Sequence, residues 1–293
     1  MKYVFVILHY RTFNMTVQAI ESVRALNDFE KSAVVVVDNG SDDQSGIKLK
    51  QKYHSISNIH ILLSKDNLGF AKGNNLGYCY ARQKYSPDFI IILNSDVLML
   101  QNDFLYRIDE IYMKTPIHVL GPDIITPEKM HQNPHRMKLF LYMDVKRIIR
   151  NRSIILLYLK LKRKFHLEEK IHFVENWDNR RALEEQQKIV WEQPSRDVVL
   201  HGSALIFSRD FIVREENAFC PKTFMWMEEE ILSYQCLKKK YSTLYSPWIS
   251  VLHMGSKTVD DTFSSSDKYM FYSKCLKESA SVLKQLMQSG EEQ

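Results

Sequence analysis

At 293 residues the chain is long enough to bury a substantial core, as one large domain or as a domain with an appendage. With 45% hydrophobic and 26% charged residues it has the composition of an ordinary folded protein, which excludes an extended, charge-dominated chain. The net charge of +5 is modest but uneven: residues 136–170 hold Arg136, Lys138, Lys146, Arg147, Arg150, Arg152, Lys160, Lys162, Arg163, Lys164 and Lys170 against Asp144, Glu168 and Glu169, which points to an anionic partner or surface.

Cys79, Cys220, Cys236 and Cys275 lie far apart and make neither a metal nor a redox spacing, so reduced thiols are expected. Residues 1–8 read as a strand rather than a leader, and the longest apolar stretch, Ile154–Leu159, is too short to span a bilayer. The expectation is a cytoplasmic protein that does not cross a membrane.

In chain order, Tyr3–Leu8 predicts a strand and Asn14–Leu26 a helix with Met15, Val17, Ala19, Ile20, Val23 and Leu26 at helical spacing. Ala33–Val37 is a second strand, stopped by Asp38-Asn39-Gly40-Ser41. Residues 45–54 suit a helix, Ile59–Leu63 a third strand, Ala71–Tyr80 a helix and Phe89–Leu93 a fourth strand. This alternation implies parallel βαβ units, hence an α/β fold with a mostly parallel central sheet flanked by helices. Prolines at 116, 122, 127 and 134 predict turns and short strands over 115–135, and 136–192 reads as a helical basic insertion. Strands are expected at Ser203–Phe207, Ser242–Tyr245 and Ile249–Leu252, with helices at 227–239 and 267–288. Residues 1–260 read as the main domain and 261–293 as a helical tail.

Ligands of parallel sheets gather outside the carboxyl ends of the strands, so the polar residues there are the first candidates. They are His9-Tyr10-Arg11, Asp38 and Asn94-Ser95-Asp96. An acid at such a position can hold a hard divalent cation against a diphosphate, while a turn-closing Asx is the structural alternative. Asp38 could accept hydrogen bonds from a pyrimidine imide, although for Asp38 alone the turn is the better reading. The loop Asn67-Leu68-Gly69-Phe70-Ala71-Lys72-Gly73-Asn74-Asn75 opens a helix, whose amides favour diphosphate charge. Glu228-Glu229-Glu230 follow Phe224-Met225-Trp226-Met227, and a carboxylate beside an aromatic wall suits a general base for a sugar hydroxyl. Acids in a first helical turn also suit the helix dipole. His253-Met254-Gly255-Ser256 follows a strand and offers an imidazole to a metal or phosphate.

Taken in order, these segments together with Gly202-Ser203-Ala204-Leu205-Ile206-Phe207 resemble the inverting glycosyltransferases of family 2, with the GT-A fold, in a rhamnosyltransferase-like bacterial subgroup that builds surface polysaccharide. The resemblance covers roughly residues 1–115 and 198–257. It implies a nucleotide-sugar site formed by His9, Tyr10, Arg11, Asp38, Asn67, Gly69, Phe70, Asn74, Asn75, Asn94, Ser95 and Asp96. It implies Mg2+ or Mn2+ held by Asp96 and His253, and Glu229 as catalytic base, with Glu228 the alternative if the register slips by one. The implied donor is a UDP- or dTDP-linked sugar, and the implied acceptor a glycan or polyprenyl-linked glycan. Asn94 stands where the family's Asp-X-Asp motif has its first acid, Glu229 is longer than the usual Asp, and Ile231 occupies a position often acidic.

Isoleucines and leucines interleave with the basic residues of 148–164, which suits a helix at an anionic membrane surface or one packed on the catalytic domain. A sugar nucleotidyltransferase is disfavoured because no glycine follows the first strand, and a catalytically degenerate assembly partner because Asp96, Glu229 and His253 are all present. Nucleic-acid binding is disfavoured because the basic segment lacks a stacking platform.

Overall fold

The computed structural model describes residues 1–165, 189–255 and 265–289. The remainder of the basic insertion at 166–188, and Ser256 of the His253 motif, lie outside the described residues.

Strands whose apolar residues run without alternation are buried on both faces, and this governs the first half of the chain apart from its edge strand, where only Ile59 is buried. Tyr3–His9 (β1), Ser32–Asp38 (β2), Ile59–Leu63 (β3) and Phe89–Asn94 (β4) are parallel, side by side in the order β3-β2-β1-β4. Phe13–Arg24 (α1), Ser45–Lys52 (α2) and Gly69–Tyr85 (α3) connect them. Because successive side chains point to opposite faces, Phe5, Ile7, Val34, Val36 and Ile91 join Ala19 and Ile20 of α1 in one core. Val4, Val6, Val35, Ile90 and Ile92 join Ala71 and Tyr78 of α3 in a second.

Beyond β4 the sheet becomes mixed. Val97–Met99 (β5), Phe104–Lys114 (α4), Val119–Ile125 (β6), Tyr142–Lys164 (α5), Ser195–Arg196 (β7), Ala204–Ser208 (β8), Arg209–Ile212 (α6), Glu228–Lys238 (α7), Thr243–His253 (β9) and Ser265–Ser289 (α8) follow in sequence. The strand order is β3-β2-β1-β4-β8-β6-β9-β5, with β7 on β9. β8 lies antiparallel between β4 and β6, and β6 runs parallel to β9.

Two expectations change here. Residues 119–125 form a buried strand rather than a turn, although Pro122 cannot donate to the ladder. The register slips between Pro122 and Asp123, opposite Ser246–Ser250, and the bulge accommodates both Pro122 and Pro247. For the same reason the two late strands are one. Within the basic insertion, residues 142–164 are helical as expected, whereas 136–141 form an extended connection with Arg136 bridged to Val199. Helix α5 packs on α8, and Val145, Ile231, Ala280 and Leu283 make a third apolar cluster that ties α5, α7 and α8 together. No described helix is long and apolar enough to cross a membrane.

Candidate active site

The strand order reverses direction between β1 and β4, which opens the crevice where ligands of doubly wound sheets sit. The carboxyl ends of β1, β2 and β4 deliver His9, Asp38 and Asn94 to it. His9 is fully buried and spends both ring nitrogens on protein, with Nδ1 2.7 Å from Thr16 Oγ1 and Nε2 2.7 Å from Ser45 Oγ. Burial holds its pKa below the ordinary histidine value. Asp38 is buried beside it and accepts from the Ser41 amide at 3.2 Å. A Cβ on Gly46 would come 1.9 Å from Asp38 Oδ2, so this glycine is what leaves room for the carboxylate. Arg11 lies over the Tyr10 ring and pairs with Asp42. Ser95 Oγ meets Thr12 Oγ1 at 2.9 Å, joining the ends of β1 and β4.

The Asn67–Asn75 loop folds back on this crevice. Asn39 Nδ2 donates to Asn67 Oδ1 at 3.0 Å and to the Gly69 carbonyl at 3.2 Å, while the Leu68 amide donates to Asn39 Oδ1 at 2.9 Å. Gly69 sits at φ +78°, and a Cβ there would lie 2.2 Å from the Phe224 carbonyl, which accepts from the Phe70 amide at 2.7 Å. The loop is thereby fastened to the segment leading into the acids. Asn74 and Asn75 are buried. Asn75 exchanges two hydrogen bonds with the Phe219 backbone, at 2.8 and 2.9 Å, so its side chain braces the loop and does not face the crevice. Asn74 Nδ2 bonds the Phe70 carbonyl of its own helix at 3.1 Å.

Asp96 and His253 meet, with Nε2 3.4 Å from Oδ2. The backbones agree, since the Met254 amide donates to the Asp96 carbonyl at 2.9 Å. His253 Nδ1 lies 2.6 Å from Gln132 Oε1. With Nδ1–H donating to that amide oxygen, the Nε2 lone pair faces a carboxylate oxygen, and two acceptors at that separation suit a cation between them. Among the described residues no cluster of three or more His, Cys, Asp or Glu forms a closed metal site. Asp96 and His253 are an incomplete donor pair, one carboxylate and one imidazole, of the chemistry that a divalent ion accepts.

The three acids at the start of α7 have three environments. Trp226 and Met227 both take left-handed backbone, at φ +68° and +66°, and this turn aims the acids into the molecule. Such conformations in non-glycine residues cost about 1–3 kcal/mol each and gather at functional sites. Glu228 is buried, and desolvation with the neighbouring Glu229 charge pushes its pKa up to about 8, so it is neutral at pH 7. Glu230 is held below the usual carboxylate range by His135, 3.6 Å away, and Arg136, 3.9 Å away. Glu229 is raised by burial; its Oε1 accepts from the Gly202 amide at 3.2 Å. Of the three, Glu229 and Glu230 line a cleft of about 410 Å3, and Glu230 is committed to its cationic neighbours. Glu228 does not line it.

Sequence reasoning missed the residues that join the two halves. His135 and His201 stand 5.5 Å apart, and His201 and His253 5.9 Å apart, so imidazoles run from the Glu230 pair to Asp96. Burial beside two other histidines keeps His201 well below the ordinary histidine range, hence neutral. His201 directly precedes the Gly202–Phe207 motif, which was read without it; His135 lies in a proline-punctuated stretch, and Arg136 was read only as the first residue of the basic run. Trp226, Arg152 and Tyr272 also line the cleft, between α5 and α8. Ile231, where the family pattern suggested an acid, is fully buried in the α5–α7–α8 cluster and serves packing.

A mostly parallel Rossmann-like sheet, an acid–imidazole pair near its switch point and a half-buried glutamate lining a cleft are the features that the comparisons with known proteins address. The chain matches the family model "Glycosyl transferase family 2" over residues 4–174, more than half its length, and belongs to that family. It is 30% identical over 101 residues to the dTDP-rhamnosyl transferase RfbF of Shigella flexneri, covering 34% of this chain and 32% of that protein. It is 29% identical over 99 residues to the low-salt glycan biosynthesis hexosyltransferase Agl10 of Haloferax volcanii, covering 34% of this chain and 30% of that one. The matched region is thus about a third of the length of these curated relatives. The crystal structure of S. aureus TarS 1–349 in complex with UDP superposes with a TM-score of 0.53 at 13% identity, covering 88% of this chain and 61% of that one, a likeness of fold.

Proposed function

We propose that the chain is an inverting glycosyltransferase that moves a sugar from a UDP- or dTDP-linked donor to a glycan or polyprenyl-linked glycan in bacterial surface polysaccharide synthesis. The observation that carries this reading is Glu229, which lines the acceptor-sized cleft while anchored on the Gly202 amide, within the same histidine-lined wall that ends at Asp96 and His253. The relative RfbF is a dTDP-rhamnosyl transferase, and the superposing TarS crystal holds UDP; both nucleotides are pyrimidines.

In this reading Asp38, with the space left by Gly46, meets the base, and the fastened Asn67–Asn75 loop excludes water over the nucleotide. Asp96 and His253 would hold Mg2+ or Mn2+ beside the donor. When bound, the ion supplies charge neutralisation for the leaving group. Glu229 takes the proton of the acceptor hydroxyl as that oxygen attacks the anomeric carbon from the face opposite the diphosphate, so configuration inverts. Glu228, neutral at pH 7, adds no negative charge beside the base.

The test is nucleoside-diphosphate release from UDP- and dTDP-sugars in the presence of a lipid-linked oligosaccharide fraction. Glu229→Gln is expected to lower acceptor-dependent release by about 10²–10⁴-fold while donor binding persists. Near-full release by that variant contradicts the base, and pyrophosphate release from a sugar phosphate and a nucleoside triphosphate contradicts the reaction class.

A further inference from the structure

Helix α5 contributes to the cleft with one face, through Ile148, Asn151, Arg152 and Ile155. A different row, Ile154, Leu157, Tyr158 and Leu161, follows i, i+3, i+4, i+7 spacing and stands in water, 60%, 59%, 41% and 46% exposed, with Phe165 at the helix end 62% exposed. A surface helix ordinarily turns its polar residues outward. This helix is apolar toward the core and again on its outer side, while Lys160, Lys162 and Lys164 interleave with the outer row and Lys146 and Arg150 precede it. Asp144 is the only acid in its sequence.

We infer that α5 is a membrane-docking helix, whose outer apolar row enters the headgroup boundary of an anionic bilayer while its lysines and arginines meet lipid phosphates. An exposed apolar row set among basic residues, with almost no acid, is the composition of an interfacial helix. Tyr158 is an amphipathic aromatic of the kind that favours that boundary, and Phe165 adds apolar surface to it. Charge selects this occupant over a second copy of the chain, because two α5 helices brought face to face would oppose like charges. The same helix then sets the Glu229 cleft beside the bilayer surface, where a lipid-linked acceptor is presented; only this last step rests on the transferase reading.

Sedimentation of the full chain with vesicles tests the inference, using phosphatidylcholine alone and phosphatidylcholine with phosphatidylglycerol. Binding to the anionic vesicles is expected at low salt and weakens as salt rises. Each basic residue at such a surface is worth about fivefold in affinity, so Lys160→Glu and Lys164→Glu, both at exposed positions, together lower it by at least about 25-fold. Leu157→Ser with Leu161→Ser, which removes apolar contact and no charge, lowers it by about 100-fold. These side chains point outward, so melting curves of both variants are expected to match the parent. Absence of binding to anionic vesicles at low salt overturns the inference, as does binding that both variants retain. A dimer dissolved by the two serine changes, in a chain that ignores vesicles, also overturns it. Vesicle binding in a protein that fails to bind any nucleotide sugar would uphold docking and reject the transferase reading. Donor binding without vesicle binding would do the reverse.

Discussion

Asn75 separates a bracing role from a ligand role within one loop. Its side-chain amide donates to the Phe219 carbonyl at 2.8 Å and accepts from the Phe219 amide at 2.9 Å, both buried. Asn75→Leu conserves most of the volume and deletes both bonds, leaving a peptide N–H and a C=O without partners. Each orphaned buried group costs about 1–3 kcal/mol, so the variant should lose about 2–5 kcal/mol. Against a typical net stability of about 5–15 kcal/mol this is a large fraction. The melting temperature should fall by roughly 5–15 °C. Differential scanning fluorimetry with and without UDP- and dTDP-sugars measures the loss, and a urea melt converts it to free energy. A melting temperature within about 2 °C of the parent, with donor-induced stabilisation abolished, would refute this reasoning and make Asn75 a donor contact, as its position in the loop motif suggested.

Further outcomes follow from the acids and the tight glycine. Glu228 keeps a proton in the folded state up to about pH 8 that the unfolded chain releases near 4.5, so the folded form binds more protons in between and its stability falls as pH rises through that window. Glu228→Gln removes this dependence and should exceed the parent by about 2–3 kcal/mol at pH 7 while matching it near pH 5, read from urea melts at both pH values. Because burial raises the Glu229 pKa, the acid limb of kcat/KM should lie above 4.5, with activity lost as pH falls through it; a flat profile down to pH 4.5 would speak against Glu229 as the base. Asp96→Asn should abolish the manganese-dependent part of donor stabilisation in scanning fluorimetry while leaving the melting temperature of the free protein near that of the parent. Gly69→Ala, at φ +78° and 2.2 Å from the Phe224 carbonyl, should cost at least about 2 kcal/mol in a urea melt by breaking the fastening of the loop.

The first half of the fold could be read from the chain because each strand is an apolar run ended by polar residues, and the helices between carry 3.6-residue spacing. Ile59–Leu63 was expected as it stands, and Phe89–Leu93 extends by one residue to Asn94. β6 was not legible because Gly121 and Pro122 write a turn, and only the bulge formed with a strand more than a hundred residues away permits a strand there. α4 did carry a signal, in the spacing of the buried Phe104, Leu105, Ile108 and Ile111. Of the candidate site, Asp96, His253 and Glu229 were singled out from the sequence as residue types in order; the structure brings Asp96 and His253 together and sets Glu229 on a cleft. The roles of His9 and Asn75 were not, because nothing local reveals that Thr16, Ser45 and the Phe219 backbone saturate them. His135, Arg136 and Arg152 enter the site by tertiary contact alone, from an irregular stretch and from the helix whose charges dominated its reading.

The central claim, a pyrimidine nucleotide-sugar transferase with a cation held at Asp96 and His253, meets its most direct test in donor binding by thermal shift with UDP-, dTDP- and GDP-sugars, each with and without manganese. A ligand that binds only the folded state raises its apparent stability. The account predicts stabilisation by a UDP- or dTDP-sugar that grows with manganese and is absent for GDP-sugars. Stabilisation by a GDP-sugar alone, or by no donor in a protein shown to be folded, would contradict it.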